Sequence, residues 1–260
     1  MAVPDKRWRL DQFLAEKKYA RTRSHARDLI KRGAVLVDGV EAARPSMQVS
    51  EGIAVSIKEG EADYVSRGGI KLEAALDAFG FSPEGLNALD IGASTGGFTQ
   101  ILLERDVAHV TAVDVGRGQI DWRIASDERV TSLEGFDARD LTKEHVDGEV
   151  QAIVADVSFV SLTKVLPAAL ALAGNGCWLV ALIKPQFEVG RELVGKGGVV
   201  RDEVSRLLAT RNVREWLEAQ PGWNVVGTVK SPIRGNKGNE EYLIGATFDL
   251  DQELFSSAST

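Results

Sequence analysis

Asp90 is followed by Ile-Gly-Ala-Ser-Thr-Gly-Gly-Phe-Thr99, one carboxylate and three glycines spaced as a ligand loop. A buried strand that ends in a Gly-rich turn lets bare backbone approach a bound molecule closely. Gly92, Gly96 and Gly97 do not spell the G-x-G-x-x-G of a dinucleotide site or the G-x-x-x-x-G-K-[ST] of a phosphate loop. No Lys follows to hold a triphosphate. Asp90 would repel a pyrophosphate but could bind an ammonium group. A cationic amino-acid cofactor fits these residues, and S-adenosyl-L-methionine is the candidate. The loop alone also admits an ordinary Gly-rich βα turn.

Further polar residues stand where apolar runs end. In a sheet built from alternating strands and helices, ligands bind beyond the carboxyl ends of the strands. Asp114, in Ala-Val-Asp-Val-Gly, follows the loop by about 20 residues and could take both ribose hydroxyls of an adenosine, as in NAD sites. Asp137 could accept from an adenine amino group; a turn or helix-cap aspartate is an equal alternative. Asp156 opens Asp-Val-Ser-Phe159, without the prolines of the [DN]-P-P-[FYW] of amino-group methyltransferases. Cytosine C5 methylation needs a cysteine nucleophile, and Cys177 reads instead as packing within a buried strand. Both base-directed chemistries are therefore disfavoured. Lys184 follows the apolar run 179–183 and precedes Pro185, a costly place for an ammonium unless it is paired or functional. Glu240 and Glu241 are adjacent before Tyr242, and only one of two strand neighbours can face a site.

The elements that must position these groups are legible from periodicity. Strand-like runs occupy 88–91, 110–113, 152–155, 178–183, 224–229 and 242–248. Helical patterns follow the loop over 98–105, precede it up to about Phe79, and span 202–219. The stretch 166–183 reads helix, turn, strand. Alternation of this kind predicts an α/β, doubly wound, Rossmann-like sheet, mostly parallel. The last two strands have no helix between them and close it as an antiparallel hairpin.

The first 60 residues read differently: two helices, then a hairpin around Asp38-Gly39 and a short strand over 53–57. Ser24 is a candidate cap for the second helix and Gly33 its end. Arg23, Arg27 and Lys31 recur every four residues as one basic stripe, with Arg7, Arg9 and Arg21 close in sequence. This head carries 12 Lys+Arg against 8 Asp+Glu; the chain total is −7, which leaves −11 on the body. A basic head on an acidic body suits contact with a polyanion; a solvated basic face is the plainer alternative. A polar, acidic stretch around 59–63 suggests a linker. One cysteine excludes a disulfide framework, and three scattered histidines speak against a metal centre. The charged N-terminus lacks signal-peptide character and no apolar run reaches membrane-spanning length, so a reduced, cytoplasmic location is expected.

Lys71, Asp156, Lys184 and one of the two glutamates resemble the Lys-Asp-Lys-Glu tetrad of FtsJ-like ribose 2′-O-methyltransferases. Arg9-Leu-Asp-x-x-Leu, Ala20-Arg-Thr-Arg-Ser and Gly33-x-Val-x-Val-Asp-Gly39 are similar to an S-four-type RNA-binding domain. Joined through Tyr64-Val-Ser-Arg-Gly-Gly-x-Lys-Leu, the two parts resemble the TlyA family, rRNA cytidine 2′-O-methyltransferases often named haemolysins. The resemblance covers nearly the whole chain. It departs where Gln100 replaces the family's usual Asp and where Glu-Ala-Asp-Tyr64 replaces an Arg-x-Trp linker.

The resemblance implies an RNA-binding domain over 1–60, a linker over 61–66 and a methyltransferase domain over 67–260. It implies Lys71, Asp156, Lys184 and Glu241 as catalytic residues, with S-adenosyl-L-methionine as cofactor and no metal. Cofactor contacts are expected from Asp90, Gly92, Ser94, Gly96, Gly97, Phe98, Asp114 and Asp137. Contacts to ribosomal RNA are expected from Arg7, Arg9, Arg21, Arg23, Arg27, Lys31 and Arg67. The substrate would be a ribose hydroxyl in one or both ribosomal subunits. Competing functions are methylation of an RNA base, a ribosome-assembly factor with a vestigial site, and a pore-forming haemolysin.

Overall fold

Apolar residues that lack a polar face need a strand on either side and a helix above and below, and such residues build the larger part of this chain. The computed structural model describes residues 7–20, 23–58 and 64–250. The chain divides into two compact units, Met1–Arg67 and Gly68–Thr260. Arg21 lies outside the described residues, as do 59–63 of the linker stretch and 251–260.

In the first unit, β1 (Trp8–Arg9) leads into α1 (Leu10–Glu16), followed by α2 (Arg23–Lys31). Next come β2 (Val35–Val37), β3 (Val40–Glu41), β4 (Gln48–Val49) and β5 (Val55–Ile57). Helix α2 starts one residue before the expected cap Ser24. Leu10, Phe13 and Leu14 of α1 pack with Ala26, Leu29 and Ile30 of α2 over Val35, Val37 and Val49. Asp38 and Gly39 both adopt positive φ, at 49° and 78°, the conformation a two-residue hairpin between β2 and β3 requires. The β1–β4 pair was not legible in the sequence: each strand has two residues, too few to show a period.

The second unit begins with α3 (Gly68–Phe79), β6 (Asn87–Ile91), α4 (Gly97–Glu104) and β7 (His109–Asp114). It continues through α5 (Trp122–Ala125), β8 (Val130–Glu134) and β9 (Val150–Ala155). Then come α6 (Leu162–Val165), α7 (Pro167–Leu170), β10 (Ala173–Ile183) and α8 (Pro185–Glu188). Helix α9 (Glu203–Glu218) and strands β11 (Trp223–Lys230) and β12 (Tyr242–Phe248) close the unit. The sheet order is β11-β12-β10-β9-β6-β7-β8. Strand β12 is antiparallel to both neighbours; the pairs among β10, β9, β6, β7 and β8 are parallel. The closing hairpin is thus antiparallel as expected, and its second strand is inserted between β10 and β11.

Leu89, Ile91, Val113, Ile153, Leu179 and Ile183 are fully buried. Each such side chain stabilises the fold by about 1.5–3 kcal/mol. Two segments differ from expectation. The sequence shows no apolar run for β8, an edge strand with the polar pattern Val-Thr-Ser-Leu-Glu and little burial. Strand β10 starts at Ala173, so the expected turn at 174–176 is an irregularity inside it, with a register shift between Ala173 and Trp178.

Candidate active site

Strand register brings the separate charges together. Ile183 of β10 pairs with Tyr242 of β12, so Lys184 and Glu241 flank the same rung at the carboxyl edge of β10. The Lys184 ammonium stands 2.5 Å from Asp156 Oδ1 and donates to Ser158 Oγ at 2.8 Å. Lys71, on α3, donates to Glu241 Oε2 at 2.6 Å, and both side chains are buried, 8% and 3% exposed. Glu240 faces the other way, toward Arg206, Lys230 and Arg234. The geometry therefore singles out Glu241 of the two neighbours. All four expected catalytic residues form two ion pairs at one sheet edge.

Beside them lies a cleft of about 710 Å³ walled by Gly92, Ser94, Asp114, Phe136, Asp137, Asp156 and Phe159, among others. Gly92 is required where it stands: a Cβ there would lie 2.7 Å from the Asp156 carbonyl oxygen. Asp114 Oδ2 accepts from the Ser94 backbone N–H at 2.8 Å and Oδ1 from Gly116 N–H at 2.7 Å. Before any ribose is considered, Asp114 already ties the glycine loop to β7.

Asp137 caps the turn of helix over Ala138–Asp140 by accepting from Arg139 N–H. It also holds the Arg139 guanidinium, which lowers its carboxyl to about 2. The helix-cap alternative is what the geometry shows, with the residue still on the cleft wall. Asp90 departs further from expectation. It is fully buried, does not line the cleft, and accepts from Thr99 Oγ1 at 2.6 Å. Its Oδ1 has no hydrogen-bond donor. Burial pushes its carboxyl up to about 7 against the pull of Thr99, and the nearby Asp156 and Asp114 add to the rise. Gly96, Gly97 and Phe98 lie at the turn into α4 and do not line the cleft.

Ser158 and Phe159 have roles that their motif alone does not reveal. Ser158 contacts Lys184, and Phe159 is 91% exposed at the cleft with a positive φ of 68°. Its ring lies 5.3 Å from that of Phe187. Asn239, in Gly238-Asn-Glu-Glu-Tyr242, is another residue whose role its motif does not reveal. It is buried, accepts from Val200 N–H at 3.0 Å and donates to the Gly198 carbonyl at 2.8 Å. It thereby fixes the turn that delivers Glu241. Cys177 is packing, as expected: burial pushes its thiol well above the usual range.

In the first unit two residues of the expected basic stripe, Arg23 and Arg27, converge with Arg9 on one carboxylate. Asp11 is fully buried, and Arg9, Arg23 and Arg27 all donate to it, at 3.1, 3.1 and 2.9 Å. Burial raises the Asp11 carboxyl, but the bonds from Arg9, Arg27 and Arg23 outweigh it and hold the group well below the usual range. The three arginine side chains stay 39–47% exposed. Arg7 and Lys31 are exposed, and Arg67 is half-buried in the turn before α3. Among the described residues, no helix is long and apolar enough to cross a membrane, and no group of His, Cys, Asp and Glu could hold a metal ion.

The FtsJ-like methyltransferase family matches residues 64–248, and the S4 domain matches residues 8–53. The chain is 44% identical over 250 residues to the 16S/23S rRNA (cytidine-2′-O)-methyltransferase TlyA of Mycobacterium tuberculosis, covering 96% of this chain and 93% of the relative. It is 41% identical to hemolysin A of Brachyspira hyodysenteriae, over 90% of this chain and 98% of the relative. A solved structure of a hemolysin-named protein from Streptococcus thermophilus superposes with a TM-score of 0.73 at 36% identity. It covers 94% of this chain and 89% of that one.

An FtsJ-like methyltransferase takes its methyl group from S-adenosyl-L-methionine, and a cleft walled by Asp114, Asp137 and Asp156 fits that cation. Among the described residues, the one cation on that wall, Arg139, is already held by Asp137, which leaves no unpaired side-chain cation there for a pyrophosphate. One buried and one half-buried Lys–carboxylate pair beside an acidic cleft, together with a basic S4 unit, agree with these similarities, and the chain belongs to the TlyA family of S4-domain, FtsJ-like methyltransferases.

Proposed function

We propose that this chain methylates the 2′-hydroxyl of a cytidine in ribosomal RNA, using Lys71, Asp156, Lys184 and Glu241. The observation that carries the reading is the pairing of Lys184 with Asp156 and of Lys71 with Glu241 at one sheet edge. Asp114, with Ser94 and Gly116 on its two oxygens, would hold the adenosine side of the cofactor. Asp156, on the wall shared by cleft and tetrad, would lie nearest the cationic end. Asp90 would act from below, by fixing the loop through Thr99. When bound, S-adenosyl-L-methionine supplies an electrophilic methyl group on a sulfonium.

The protein's own residues supply alignment and charge. A ribose hydroxyl is a weak nucleophile, and in-line displacement rewards correct placement. An ammonium has three N–H donors. Lys184 directs one of them at Ser158 and stands in ion-pair contact with Asp156, with donor capacity left for the substrate oxygen. There it would stabilise the developing alkoxide, or accept the proton when neutral. Asp156 holds Lys184 in place, and Glu241 does the same for Lys71. The two carboxylates also offset the repulsion between two neighbouring lysines.

The S4 unit would contact RNA phosphates through Arg7, Arg9, Arg23, Arg27 and Lys31, together with Arg21 and Arg67, to place the domain rather than read bases. Both ribosomal subunits are candidate substrates, in the cytoplasm where they are found. Methylation of each purified subunit with labelled S-adenosyl-L-methionine, followed by mass spectrometry of digested nucleosides, tests the proposal. A 2′-O-methylcytidine supports it, and a methyl group on a base overturns it. Absence of transfer to both subunits, with the cofactor bound, would favour an assembly factor.

A further inference from the structure

The three cations around Glu240 lie outside the tetrad and outside the S4 unit. Arg206 comes from the first turn of α9, Lys230 from the end of β11, and Arg234 from the turn that follows. Their nitrogens stand 3.4, 3.1 and 3.0 Å from the Glu240 carboxylate. One negative charge thus organises three positive ones. Lys230 and Arg234 keep 60% and 68% of their side chains exposed; Arg206 keeps 15%.

This cluster belongs to the catalytic edge. Strands β10 and β11 are both antiparallel to β12, so they run in the same direction. The carboxyl end of β11, where Lys230 stands, is therefore on the same edge as Lys184. The Ser231 N–H donates to the Glu241 carbonyl at 2.9 Å, so the basic turn is attached to the residue that holds Lys71.

The surface extends across a second loop. Asn239 binds Val200 N–H and the Gly198 carbonyl, joining the turn at 231–239 to the loop at 195–200. Lys237 reaches over that loop; its Nζ lies 3.5 Å from where a Cβ on Gly198 would stand. Lys196, Arg201 and Lys237 are exposed. The body of the chain carries −11 outside its first 60 residues, so this concentration of cations runs against its surroundings. A small-molecule substrate has no use for a row of exposed cations beside the reacting centre. A nucleic-acid strand has one phosphate on each side of every ribose, and aligning the ribose means holding those phosphates.

We propose that Lys230 and Arg234, arranged around Glu240, and Lys237 on the Asn239-locked turn form a second phosphate-binding surface that holds the RNA backbone beside the ribose at Lys184. The proposal rests on the rRNA reading above. It adds a contact surface on the methyltransferase unit itself, independent of the S4 unit.

The test compares the full chain with Lys230→Ala/Arg234→Ala, and with Arg211→Ala/Arg214→Ala on the exposed face of α9 as a matched removal of two charges. Binding to purified ribosomal subunits is measured across a salt series, with cofactor binding followed by calorimetry. Removing one phosphate-binding cation lowers the salt slope by about 0.7–0.9. The Lys230/Arg234 variant is expected to lower its slope by about 1.5 and to raise KM for the subunit, with cofactor affinity unchanged. The α9 variant keeps the wild-type slope. A Lys230/Arg234 slope equal to wild type overturns the proposal, and so does an equal decrease in both variants. If the wild-type chain transfers no methyl group to either subunit, it is the rRNA reading that fails.

Discussion

Lys71 and Glu241 are separated by 170 residues in the chain and by 2.6 Å in space, and both are buried. A buried ion pair gains little net stability, but removing one partner leaves an uncompensated charge and costs about 3–5 kcal/mol. Lys71→Met and Glu241→Leu alone are therefore expected to destabilise the protein by about that amount. The double variant should recover most of the stability, because two apolar groups can pack where two charges stood. It should still fail to transfer methyl groups. Urea denaturation of the four proteins checks the coupling, and additive destabilisation in the double variant would show that the pair is not a unit.

Lys184 separates a catalytic role from a structural one. Lys184→Ala is expected to fold, bind the cofactor and bind subunits, while transfer falls by about 10²–10⁴. Lys184→Arg should not rescue it, since a guanidinium stays protonated and its fork does not reproduce a point contact with Asp156 and Ser158. Single-turnover methylation decides this, and near-wild-type transfer by the alanine variant would make Lys184 structural.

Asp114 serves the loop before it serves any ligand. Its hydrogen bonds from Ser94 and Gly116 N–H should each contribute about 1.5–3 kcal/mol to the loop conformation. Asp114→Ala is thus predicted to weaken cofactor binding and also to speed amide exchange at Ser94 and Gly116. Weaker binding with unchanged exchange would mean that Asp114 acts only as a ligand.

Asp90 predicts a pH dependence with a definite sign. Its carboxyl is raised from 3.8 to about 7 in the folded protein, chiefly by burial. Between these values the folded state binds more protons than the unfolded state, so stability falls as pH rises. The contribution is complete below about 4 and gone above about 7, a change of roughly 4 kcal/mol. Asp90→Asn removes the titration. It is expected to be more stable than wild type at pH 8 and to lose that advantage at pH 4.5. Parallel denaturation curves for the two proteins across this window would contradict the assignment.

Asp11 distinguishes an organised guanidinium array from mere net charge. Asp11→Asn makes the S4 unit one charge more positive but releases Arg9, Arg23 and Arg27 from their common anchor. If placement governs phosphate contact, the variant binds ribosomal subunits more weakly despite its higher charge. If only net charge matters, it binds more tightly. Arg23→Ala and Arg27→Ala should each lower the salt slope by about one.

Much of this was legible in the residues because it is local. Strands β6, β7, β9 and β12 are apolar runs bounded by turn residues, and β12 matched its expected span at both ends. Helix α9 was readable from its amphipathic repeat, with Asp202 as its cap. The candidate charges were visible because an ion at the end of an apolar strand stands out against its neighbours. The edge strand β8 was not visible, since a half-exposed polar strand carries no burial signal.

What the sequence by itself determined is therefore the set of elements, the Gly-rich loop and the residue types at the strand ends. Periodicity records which face of an element is buried, and burial is a property of each segment alone. Only the tertiary structure decided which ends meet. Insertion of β12 between β10 and β11 sets Glu241 beside Lys184 and leaves Glu240 to Arg206, Lys230 and Arg234. Packing within each unit likewise withdrew Asp90 from the cleft and gathered Arg9, Arg23 and Arg27 around Asp11. A charge finds its partner through the folding of other segments, and no local pattern specifies a contact 170 residues away.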